Sequence, residues 1–146
     1  MMFRRRGRVQ IYDTDASGLI FYGAPARWFA DGEQEFFEAL GLRMPLMESE
    51  FGEASQDLTG PSAPTRSFDV HIDSPLRFLQ VFDHDVWISR VGNTSFSISH
   101  RISVGGETKV RGSVNRVYVE VDDGGNMIPA TVPAIIRDAV VSAQNA

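Results

Sequence analysis

The chain has 146 residues, 42% of them apolar and 23% charged, which suits one ordinary globular domain over 1–146. Its 19 acidic and 14 basic residues leave a net charge of -5, a balance that argues against a nucleic-acid binder. The absence of cysteine removes disulfides, thiolate nucleophiles and cysteine metal sites, and no apolar run is long enough to span a bilayer, so the expectation is a cytoplasmic protein with no membrane partner.

In chain order, Arg8 to Tyr12 alternates as a half-buried strand, after a basic start at Arg4-Arg5-Arg6 that reads as a solvated terminus. An acidic turn follows, Asp13-Thr14-Asp15-Ala16-Ser17-Gly18, and then the apolar run Leu19-Ile20-Phe21-Tyr22. A helix is expected from about Ala24 to Leu40. Pro25 suits its first turn, Gly41 suits its stop, and Phe29, Gly32, Phe36 and Leu40 form one stripe. Gly32 fits either a close backbone approach or a tolerated imperfection. Arg43 to Pro64 is poorly patterned, with a short helix expected near Pro45 to Phe51 and an edge strand near Ala54 to Leu58.

From Arg66 the pattern is that of strands. Phe68, Val70 and Ile72 alternate; Asp83-His84-Asp85 reads as a turn; Val86 and Ile88 begin a long strand. Gly92-Asn93 is a hairpin signal, with Asn93 suited to positive φ, and Gly105-Gly106 is a second. Val110 to Val121 reads as a third long strand, and Pro133 opens a short helix carrying Ile135, Ile136, Ala139 and Val140. One long helix followed by an uninterrupted run of strands implies an α+β domain, a sheet wrapped on one helix, and favours dimers through its free edge or face.

The acidic turn carries the chemistry. Asp13, Asp15, Ser17 and Gly18 match the start of a calcium loop, but the position that needs a bidentate Glu is Ala24, and a strand precedes the loop. Phosphoryl transfer from a D-x-D turn belongs with a repeating βα pattern that this chain lacks. Acyl transfer fits better: one carboxylate attacks a carbonyl or activates water, and free amides of Tyr22, Gly23 or Ala24 at the helix start hold the oxyanion. The plain alternative is that both acids only cap turns.

Tyr12 to Phe29, YDTDASGLIFYGAPARWF, resembles the active-site segment of the 4-hydroxybenzoyl-CoA thioesterase family of hot-dog proteins. The shared form is D-x-D-x-x-G, an apolar run, an aromatic residue, and a helix bearing an Arg-Trp pair, here Arg27-Trp28. Weaker likeness extends over Asp85 to Ile102, Ile128-Pro129 and the last helix. The resemblance implies a hot-dog fold assembled as a homodimer or homotetramer. It implies hydrolysis of an acyl-CoA, with coenzyme A present only as part of the substrate and no metal or other cofactor. It places the catalytic carboxylate on Asp15 as nucleophile or general base. The oxyanion donor falls on the Tyr22 amide, with Gly23 beside it, and the turn glycine on Gly18.

Phe21 and Trp28 would suit an aryl group or a short acyl chain. Ser62 and Thr65 are candidates for lining a pocket at the subunit interface. Arg90 is a candidate for gripping coenzyme A, because some relatives carry a basic residue in the turn that here reads Gly92-Asn93-Thr94. The rivals are a non-catalytic acyl-thioester binding module, an acyl carrier protein as acyl donor, and a hot-dog hydratase. The hydratase is disfavoured because no histidine follows Asp15 before His71. His71, His84 and His100 read as structural, and no serine stands in a nucleophile elbow.

Overall fold

The computed structural model describes residues 1–42 and 60–141. The short helix and edge strand expected at Pro45 to Phe51 and Ala54 to Leu58 lie outside them. Strands β1 (Met2–Arg8), β3 (Thr65–Ile72), β4 (Val81–Val91), β5 (Ser95–Val104) and β6 (Glu107–Val117) form a five-stranded antiparallel sheet in the order β1-β4-β5-β6-β3. Strands β2 (Gly60–Ser62), β7 (Val119–Val121) and β8 (Met127–Pro129) form a smaller one. Helix α1 spans Gly23–Leu40 and α2 spans Ala134–Arg137.

Helix α1 starts and stops where its sequence signals it. Pro25 sits in the first turn and Gly41 caps the end with φ 76. Its apolar stripe meets the inner face of the sheet and makes two core clusters. Trp28 and Phe29 pack with Val9, Ile20, Leu76, Phe82 and Val110, while Phe36 and Phe37 pack with Val86, Ile88, Phe96, Ile98 and Ile136. A polar seam separates them. His84 stands between Phe82 and Val86 on β4, His100 between Ile98 and Ile102 on β5, and Glu33 between Phe29 and Phe36 on α1, all three buried.

Five expectations need correction. The basic start is strand β1, not a frayed terminus, and Ile11–Asp13 is a 3-10 turn, not part of a strand. Arg4 bonds Asp85, Arg5 bonds Glu35 and His84, and Arg6 reaches Asp83, so β4 supplies acids that answer the cations of β1. Asp83-His84-Asp85 is accordingly strand and not turn. Burial alone would raise the Asp85 pKa, but hydrogen bonds from Arg4 and Arg101 outweigh it and bring it down. Gly92 and Asn93 do make a hairpin, closed by Gly92 N–H on Ser95 O at 2.7 Å, but Asn93 is not among the residues with positive φ. The strand expected over Val110 to Val121 is divided at Tyr118 between β6 and β7.

Gly32 is a close approach. A Cβ there would overlap the His84 ring and crowd Val86, so helix and sheet touch through hydrogen. Replacing Gly32 with Ala gains roughly 1 kcal/mol of helix propensity, but overpacking costs about 1–3 kcal/mol. A net loss of about 1 kcal/mol is the expected outcome in urea unfolding. A Gly32→Ala protein more stable than wild type would show that the core yields at this point.

Candidate active site

The acidic turn is a small hairpin at the N-terminal end of α1. Asp15 N–H bonds Leu19 O, Gly18 N–H bonds Asp15 O, and Thr14 bridges Ile20. Gly18 takes φ 78, the left-handed conformation that closes such a turn at little cost only for glycine. The loop between β3 and β4 holds this hairpin in place: Ile20 N–H bonds Leu76 O and Phe78 N–H bonds Gly18 O.

The two acids of the turn have different environments. Asp13 is 1% exposed and both its oxygens are engaged, one by Gln10 N–H at 2.8 Å and the other by the Arg27 guanidinium. Arg27 in turn lies over the Tyr12 ring, 4.6 Å from its centroid. Asp13 thus ties the turn to the helix. Asp15 is exposed, and among the described residues only its Oδ1 is engaged, by the amide and hydroxyl of Ser17. These two bonds, the hydroxyl first, lower its pKa. Replacing Ser17 with Ala therefore raises the Asp15 pKa towards the ordinary carboxylate value, an upward move that NMR titration of the Asp15 carboxyl group reads directly.

Downstream of the turn, Phe21 N–H is used by Asp13 O, and Ala24 N–H by Phe21 O. Pro25 has no N–H. Among the described residues, no acceptor is recorded for the amides of Tyr22 and Gly23. Tyr22 is 85% exposed and meets Phe21 edge-on, and the Phe21 ring lies against Gly23, where a side chain would collide with it. The helix N-terminus thus presents two unspent donors on the chain segment that follows Asp15.

Two depressions flank α1. On the β1 side, Arg5, Arg8, Gln10, Tyr12, Arg27 and Asp31 line a polar one of about 270 Å³. Trp28 touches it by an edge, but the ring is buried and packs on Phe82 at 4.6 Å. On the β3 side, a groove of about 180 Å³ is lined by Ala26, Phe29, Ala30, Glu33, Thr65, Phe68, Val114 and Arg116.

Thr65 is in this groove, while Ser62 stands on β2 and is not among its lining. Arg90 is not brought to the turn. It lies nine residues along β4 from the strand's start, about 30 Å at strand spacing, and donates to Ser95 and Ser97. Within one protomer the candidate for gripping coenzyme A is therefore remote from Asp15. Reading the sequence alone overlooked Glu33 and Arg116. The available signal was a charged residue at position 33, on the same helix stripe as Phe29 and Phe36.

Comparison with solved structures places this architecture. A gentisyl-coenzyme A thioesterase superposes with a TM-score of 0.74 at 22% identity, covering 95% of this chain and 100% of the other. A 1,4-dihydroxy-2-naphthoyl-CoA thioesterase from Synechocystis gives 0.78 at 13% identity, covering 96% of each chain. A mutant 4-hydroxybenzoyl CoA thioesterase complexed with 4-hydroxybenzoyl CoA gives 0.75 at 19% identity, covering 96% of this chain and 99% of the other. The chain has the hot-dog fold, an antiparallel sheet wrapped on one long helix. No protein-family model matches the sequence, and no curated protein matches it.

Proposed function

We propose that the protein is a thioester hydrolase of the 4-hydroxybenzoyl-CoA thioesterase type, cleaving an aryl- or short-chain acyl-CoA to the free acid and coenzyme A. The observation that carries this reading is the pairing of an ionised, half-free carboxylate at Asp15 with the unspent amides of Tyr22 and Gly23 at the start of α1. The solved structures similar to this chain support it, since the three described above are acyl-CoA thioesterases by name. In this reading the thioester oxygen accepts from Tyr22 N–H, and negative charge growing there is met by the donor and by the helix dipole. Losing such a donor costs typically about 3 kcal/mol in the transition state.

Two routes are open to Asp15: its carboxylate attacks the carbonyl carbon itself, or it takes a proton from the attacking water. On the first route the ionised carboxylate forms an acyl-enzyme anhydride. Thiolate leaves as coenzyme A, and water then cleaves the anhydride to the acid and restores Asp15. The residues assigned to this chemistry need no metal or other cofactor.

The working unit in this proposal is a homodimer or homotetramer. Its motivation is the β3 edge, where Phe68 and Ile72 are exposed beside strand backbone that is unpaired among the described residues. A panel of aryl, branched and straight-chain CoA esters, followed by thiol release, tests the function. Hydrolysis of at least one class is the expected result. Tight binding of the esters without thiol release would replace the enzyme by a binding module.

A further inference from the structure

The polar depression on the β1 side of α1 takes no part in the chemistry assigned to Asp15. The guanidiniums of Arg5, Arg8 and Arg27 and the carboxylate of Asp31 line it, three positive charges against one negative, in a chain of net charge -5. The acids that hold two of these arginines stand outside the lining. Glu35 takes Arg5 Nε at 3.0 Å, and Asp13 takes Arg27 Nη2. Asp31 follows Arg27 by one turn of α1, is half-buried, and enters no ion pair among the described residues.

Such a lining suits a ligand rich in acceptors, because a guanidinium carries only donors. Arg5 is anchored by Glu35 and by His84, whose Nδ1 lies 3.3 Å from its Nη1. Arg27 is anchored by Asp13 and by the Tyr12 ring, whose centroid lies 4.6 Å from its Cζ. Arg8 is exposed, and among the described residues no acceptor is recorded for any of its side-chain nitrogens. Two anchored cations and one free one thus line the same space before a ligand arrives, which lowers the ordering cost of binding.

We infer that this depression binds a phosphate group and couples it to the acidic turn. A carboxylate has one charge and two oxygens, which a single guanidinium serves. A phosphate monoester carries about two negative charges at neutral pH and offers more acceptor oxygens, which matches the net lining charge and guanidiniums from three places in the chain. The phosphate belongs either to the nucleotide end of coenzyme A or to a separate anion. Strands β1 and β3 are opposite edges of the five-stranded sheet, so pairing of protomers through β3 leaves the depression open. The coupling runs through Arg27. A phosphate that draws on Arg27 competes with Asp13, whose other oxygen holds Gln10 N–H, and the effect is reciprocal.

Amide NMR of the full chain tests the site, with inorganic phosphate and adenosine 3′,5′-bisphosphate, the phosphorylated end of coenzyme A, as probes. Saturable shifts are expected at Gln10, Tyr12 and Asp31, spreading through Asp13 to Asp15 and Gly18, while Thr65 and Val114 on the other side of α1 stay unmoved. Arg8→Ala, which breaks no recorded contact of the fold, should weaken binding about tenfold or more. Asp31→Asn, which removes the one negative charge of the lining, should strengthen it about threefold. Arg90→Ala should leave it unchanged. Coenzyme A that competes with the bisphosphate for these signals assigns the phosphate to the nucleotide end of coenzyme A, and saturable phosphate binding that coenzyme A does not displace assigns it to a separate anion. A response that never saturates, shifts confined to Tyr22 and Gly23, or equal affinity in wild type and Arg8→Ala overturns the site. None of these readings involves thiol release, so the site and the thioesterase reading stand or fall separately.

Discussion

Acidification from neutral pH to about 4.5 should cost the protein about 3 kcal/mol of stability through His84 alone. The sign follows from burial. His84 is enclosed between α1 and the sheet, and desolvation, then the neighbouring His100 and Arg5, lower its pKa from 6.5 to about 2. The unfolded chain takes up the proton below pH 6.5 while the folded chain refuses it. Stability is therefore complete above that value and falls as pH drops, by about 1.4 kcal/mol per unit. Burial lowers the pKa of His100 as well, with Glu33 opposing and Arg116 assisting, so it adds to the loss in the same direction. Asp85 loses its stabilising charge only below the ordinary carboxylate range, which keeps the two effects apart. Urea unfolding of the wild-type protein and of a His84→Gln variant across this range checks the account. The wild type should lose stability steeply and the variant less so. Equal slopes would show that the histidine pair takes a proton inside the fold.

Replacing Asp15 with Asn should lower thiol release by at least about a thousandfold, as removal of a nucleophile does in other hydrolases. Fold and ester binding should survive, because Asp15 is exposed and its one bonded oxygen serves only the turn at Ser17. Asp13→Asn should give the opposite profile. It weakens the bond to Arg27 and disturbs the one to Gln10, in a pair whose acid is buried and whose base is partly exposed. The cost falls on stability, about 2 kcal/mol, with activity reduced only as far as the turn loosens. Circular dichroism melts beside thiol release separate the two variants. A stable Asp13→Asn protein without activity would move the chemistry from Asp15 to Asp13.

Much of this was legible in the residues. Helix α1 announced itself by its stripe, Pro25 and Gly41, and the hairpins by Gly92-Asn93 and Gly105-Gly106. Strand β1 was hidden because three successive arginines erase any alternation in hydropathy, and the acids that answer Arg4 and Arg6 lie about eighty residues away on β4. Asp83-His84-Asp85 looked like a turn because these residue types are poor strand formers. Their strand is held by long-range partners that no local pattern reports. Within the acidic turn the sequence offered two carboxylates without a physical reason to rank them. Burial sets them apart, with Asp13 enclosed and both its oxygens spent while Asp15 is exposed, and this supports the proposal of Asp15. Glu33, His100 and Arg116 come from three separate elements, and their meeting depends on the register of β5 against β6.

A single-turnover reaction bears on the Asp15 site most directly, with enzyme in excess over a CoA ester that the wild-type protein hydrolyses. Ester bound and ester cleaved are both followed, by calorimetry and by thiol release, for wild type and Asp15→Asn. Wild type should release stoichiometric coenzyme A, and the variant should bind the ester and return it intact. Release of coenzyme A by Asp15→Asn at the wild-type rate would contradict the assignment of the reaction to this carboxylate.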